Sequence, residues 1–116
     1  MKMKRLLMAS TAALMVLLPW GAAQAFECPK HFAGAQAAID KVAGDMKGDM
    51  SKKMRKEDMA LVHALLDDAK SRLTSAKHNH EKPQGRFDHA RAIAKADAAR
   101  GYAVAADIFH FKLMAK

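Results

Sequence analysis

Residues 58–76 read DMALVHALLDDAKSRLTSA. Val62, Leu65, Leu66, Ala69, Leu73 and Ala76 recur there at three- and four-residue steps, which gathers them on one side of an α-helix and leaves most charges to the other. Asp58 is a residue type that caps a helix start. The Glu81-Lys82-Pro83-Gln84-Gly85 stretch downstream contains both strong helix breakers, so this helix is expected to end between Lys77 and Asn79. A further helical segment runs from about Phe87 to Lys112. Two long helices joined by a short loop are antiparallel neighbours, and that hairpin decides the fold class.

Working outward, Phe32, Ala35, Ile39, Val42 and Met46 form a third helix-period stripe, and Pro29 suits its first turn because the missing N–H would lack a partner there anyway. Residues 47–56 carry a glycine and dense charge and are expected to be a frayed helix or a loop. No strand-period alternation competes. The expectation is an all-α protein, a small helical bundle of three helices built on a long antiparallel hairpin. The last helix carries an apolar line of Ala90, Ile93, Val104, Ile108 and Phe111, with Tyr102, Phe109 and Leu113 on another side. That is more apolar surface than one neighbour covers, so this helix should lie between the first helix and either the second or another subunit, in a four-helix-like arrangement or a homodimer.

The N-terminus reads as an address. Lys2, Lys4 and Arg5 precede an apolar run from Leu6 to Trp20, and Ala23-Gln24-Ala25 supplies the small-x-small pattern of a signal-peptidase site. Residues 1–25 are therefore expected to be a cleaved secretory signal and 26–116 a single helical domain, periplasmic or secreted. Processing takes a chain of net charge +8 to about ninety residues at about +5. No later stretch approaches the roughly 18–20 continuous apolar residues of a membrane span. One cysteine excludes an internal disulfide framework. So small a core leaves little room for an enzyme cleft and its supporting residues, and neither a nucleophile–base pair nor an oxyanion-forming motif is legible, so no enzymatic activity is expected. Export disfavours nucleic acid as a partner.

The residues that could carry chemistry are six histidines, one cysteine and several methionines. His78, His80 and His89 flank the hairpin loop, with Glu81 and Asp88 beside them. Imidazole nitrogen suits copper, nickel and zinc, and a neutral ring is available near neutral pH. These five residues are the expected metal ligands. Cys28 and His31 form a Cys-x-x-His pair, and Met46, Met50 and Met54 would line one face of a helix if the segment is helical; these five are the secondary candidates, thioether sulfur favouring Cu(I). Solvated loop histidines and methionine packing are the plain alternatives. The run Lys52-Lys53-Met54-Arg55-Lys56 reads first as a solvated face, although it could meet an acidic surface. Asp97 falls inside the apolar line of the last helix, where a carboxylate needs a partner, and Arg100 or His63 is expected to supply it.

Lys77-His78-Asn79-His80 and Asp88-His89-Ala90, in an exported, alanine-rich helical chain, resemble the small periplasmic metal-binding proteins that fold as helical bundles. That family is richer in histidine and carries short histidine-containing repeats. Six histidines without such a repeat correspond to one or two sites rather than high-capacity storage. The resemblance implies copper first, then nickel or zinc. Two functions follow as expectations: an exported metal-binding protein, or a helical module that docks on an envelope partner and whose histidines are incidental.

Overall fold

The computed structural model describes residues 19–114, with side chains for 27–48 and 51–112. The basic residues and most of the apolar run of the expected signal lie outside the described residues, as does the side chain of Leu113. Among the described residues three helices form an all-α bundle: α1 (Pro19–Asp45), α2 (Lys56–Glu81) and α3 (Asp88–Met114). A single 3₁₀ turn, Asp49–Lys53, joins α1 to α2. α3 packs against both other helices, more extensively than those two pack against each other. One chain thus supplies both neighbours the last helix was expected to need.

The core is a seam of alternating three- and four-residue steps. Val62, Leu66, Ala69, Leu73 and Ala76 on α2 meet Ala35, Ile39 and Val42 on α1, and none exceeds 3% exposure. That alternation averages 3.5 residues, the period at which packed helices keep one face toward each other. The contribution of α3 differs from expectation. Its buried line is Ala92, Ala96, Ala99, Ala103 and Ala106, while Val104, Ile108 and Phe111 are 45%, 53% and 55% exposed. The physical reason is space: helix axes approach most closely where facing side chains are smallest. A helix with two neighbours presents its methyl groups at the point of contact. Tyr102 and Phe109, expected on a separate side, pack partly buried against this core.

Helix ends also move relative to expectation. α1 is already helical through residues 19–28, so Pro29 lies inside the helix rather than in its first turn. There its ring nitrogen cannot donate to the Ala25 carbonyl, four residues back. Asp58 is not the cap of α2. Arg55 holds that position without a side-chain cap bond, and Asp58, in the first turn, takes Arg55 Nε at 2.9 Å and Nη2 at 3.1 Å. A carboxylate is favoured there by the positive end of the helix. α2 runs on to Glu81, where Lys82 N–H donates to the His78 carbonyl at 2.9 Å. His78 and His80 are therefore residues of a last helical turn, not of a loop.

Candidate metal centre

The seam does not stop at its aliphatic residues. His80 follows Ala76 by four positions, His89 precedes Ala92 by three, and Cys28 precedes Ala35 by seven, so all three continue the inward-facing register. At the hairpin end they meet. One potential ligand atom from each of Cys28, His80 and His89 lies within 4.8 Å of the other two. Each residue comes from a different helix: α1, the last turn of α2 and the first turn of α3. Ligand atoms sharing one ion stand about 3.3–3.7 Å apart, given metal–nitrogen and metal–sulfur bonds of about 2.0 and 2.3 Å. Side-chain rotation covers that difference.

Cys28 is fully buried and both histidines are partly buried. The His80 ring meets His89 edge to face at 5.3 Å between centroids, and Phe32 at 5.5 Å. The Nδ1 atoms of His80 and His89 are buried with no hydrogen-bond partner. A buried polar atom left so costs stability, and a ligated ion would satisfy it. Cys28 Sγ donates to the His89 carbonyl at 3.4 Å. Burial pushes its thiol pKa up, partly offset by a backbone hydrogen bond. The group is thus a thiol near neutral pH, and metal must displace its proton.

The five expected ligands divide. His80 and His89 enter the cluster, while His78, Glu81 and Asp88 do not. His78 is exposed and borders a shallow depression with Asn79, Lys82 and Asp88; Glu81 is exposed. Asp88 is buried and engaged, accepting from the Gln84 N–H at 2.6 Å and from Arg91 Nη1 at 2.9 Å. These contacts, the Gln84 one first, hold its carboxyl below the usual carboxylate range. It closes the hairpin.

Of the secondary candidates, Cys28 joins the histidines across the bundle rather than His31. Three helical steps fall short of a full turn, so His31 lies beside the seam and meets Asp97, Nδ1 to Oδ1, at 2.6 Å, with Glu27 at 3.8 Å from its Nε2. That contact replaces the expected Asp97–Arg100 or Asp97–His63 pairing, and Asp97 is exposed. The methionine column is interrupted, because α1 ends at Asp45 and the 3₁₀ turn intervenes. Met46 and Met54 pack against the core, and the Met50 side chain lies outside the described residues.

The sequence did carry a signal for the Cys28–His80–His89 group. One further step of the alternation reaches His80 from Ala76 and His89 from Ala92, and two steps, through Phe32, reach Cys28 from Ala35. The chain matches no known protein family, no curated protein and no solved structure, so any functional reading rests on the chain's own residues.

Proposed function

We propose that this is a small exported protein that binds a transition metal ion, copper ahead of nickel or zinc, through Cys28, His80 and His89. The observation that carries the reading is the convergence of three ligand atoms from three helices at the buried end of the seam, with two imidazole nitrogens there lacking partners. A thiolate with two imidazoles is a donor set for copper or zinc rather than for hard, oxygen-seeking ions. Export rests on residues 1–25. Cleavage after Ala25 removes the very carbonyl that Pro29 cannot serve, and leaves Pro29 among the first four residues of the new helix, where proline costs no hydrogen bond. Intact mass of the exported product tests this, with a mass starting at Phe26 expected and a retained Leu6–Trp20 segment against it.

Titration calorimetry with native mass spectrometry on the processed protein tests the metal. One ion per chain is expected, lost in Cys28→Ser and in the His80→Gln/His89→Gln double variant, and kept in His78→Gln. A His78→Gln/Glu81→Gln double variant that abolishes binding would overturn the assignment. The second reading, a docking module for an envelope partner or for another copy, is favoured by Leu61, Val104, Ile108 and Phe111, which stand 45–55% exposed. Absence of metal binding in the wild type, with a stable dimer in sedimentation, would select it.

A further inference from the structure

We infer that the Cys28–His80–His89 site selects a monovalent soft ion, Cu(I), over Zn(II) and Ni(II); this rests on the metal-binding reading above. The argument begins with charge. A Cys28 thiolate with two neutral imidazoles contributes one negative charge, so Cu(I) gives a neutral complex and a divalent ion leaves one positive charge in the interior. Burying an uncompensated charge is expensive. Nearby carboxylates do not offset it. Asp88 is engaged by Gln84 and Arg91, Glu27 is exposed and stands 3.8 Å from His31 Nε2, and Glu81 is exposed.

Coordination number points the same way. Zn(II) takes four ligands, so that a three-residue site must hold water as the fourth, and Ni(II) with nitrogen and oxygen donors favours square-planar or tetragonal sites. The described residues bring three donors together here. Besides His89, the His80 ring meets Phe32, set at 83° to it, which offers no donor atom. Cu(I), with a filled d shell, is content with three ligands, and sulfur is the donor type it prefers. Metal entry exchanges one proton for one ion: the Cys28 S–H bond breaks, the sulfur–metal bond forms, and the proton leaves to solvent. No electron moves.

The test is anaerobic competition on the processed wild-type protein, with a chromophoric Cu(I) chelator in one arm and a chromophoric Zn(II) chelator in the other. The expected result is one Cu(I) per chain, a near-ultraviolet thiolate-to-metal absorption, and Zn(II) affinity weaker by more than about a hundredfold, beyond what loss of a supporting group around a metal alters. Cys28→Ser should lose Cu(I) and the absorption together, with its helical circular dichroism unchanged. Phe32→Asp, which adds a carboxylate beside His80, should shift the preference toward Zn(II) by at least about tenfold, or roughly 1.4 kcal/mol. Zn(II) bound as tightly as Cu(I) by wild type would overturn the selectivity and leave the metal-binding reading standing. Neither ion binding would overturn both.

Discussion

Ser51 Oγ stands 2.8 Å from His110 Nε2, across 59 positions of sequence, and both side chains are buried. The same hydroxyl reaches the Asp45 carbonyl at 3.1 Å. With its one proton given to that carbonyl, the serine oxygen accepts from His110 Nε2–H. The contact fastens the 3₁₀ turn between α1 and α2 onto α3. Ser51→Ala would leave the buried His110 Nε2–H unsatisfied, so unfolding stability should fall by about 1–3 kcal/mol. Chemical denaturation measures it, and a loss below about 0.5 kcal/mol would mean the turn is held elsewhere.

Asp88 gives the hairpin an acid dependence. Its carboxyl titrates below the usual range because the folded chain supplies the Gln84 N–H and Arg91. Its contribution is therefore present above the unfolded-state pKa and is lost as pH falls through the lower folded-state value. Asp88→Asn keeps an oxygen for the Gln84 N–H but removes the ionisation. Between neutral pH and about pH 3, the melting temperature of wild type should drop further than that of the variant; parallel curves would count against the assignment.

The Asp97–His31 contact should contribute little. Its side chains are 56% and 30% exposed, and solvent screening holds such pairs below about 1 kcal/mol. Asp97→Ala should accordingly cost less than that in unfolding stability. A loss of several kcal/mol would require a buried role that the geometry does not give it.

The alanine seam predicts an asymmetry between two positions on the same helix. Ala99 is fully buried, so Ala99→Leu forces the helices apart and should cost about 1–3 kcal/mol. Ala94 is exposed, and Ala94→Leu should change stability by no more than about 0.5 kcal/mol. Thermal melts of the two variants side by side decide it, and equal effects would contradict the buried line.

The three helices were legible because Val62, Leu66, Leu73, Ile39 and Val42 are large enough to mark an inward face by themselves. The face of α3 was not. Alanines stand on both faces of these helices, Ala33, Ala60, Ala64 and Ala94 being exposed, so Ala92, Ala96, Ala99, Ala103 and Ala106 do not announce burial, whereas Val104, Ile108 and Phe111 draw the eye to a surface that stays wet. That misreading put Asp97 in the core. The candidate site was half legible for a related reason: chain proximity groups His78, His80, Asp88 and His89, but only the seam's register separates inward His80 and His89 from outward His78. Cys28 reaches them through the return of α1 to the hairpin end, a tertiary relationship that local spacing does not contain.

A contact surface made of methyl groups is smooth. Bulky side chains interlock like teeth and index one helix against another, whereas a row of alanines would let α3 slide by a turn at little cost in buried area. Alignment then falls to directional contacts made by α3, among them Lys95 with Ser75 and Asn79, Arg72 with the Tyr102 hydroxyl, Lys41 with Asp107, His31 with Asp97, Cys28 with the His89 carbonyl, and Ser51 of the 3₁₀ turn with His110. They act as the graduations on a sliding rule. A ligated ion held by Cys28, His80 and His89 would lock the scale at its zero.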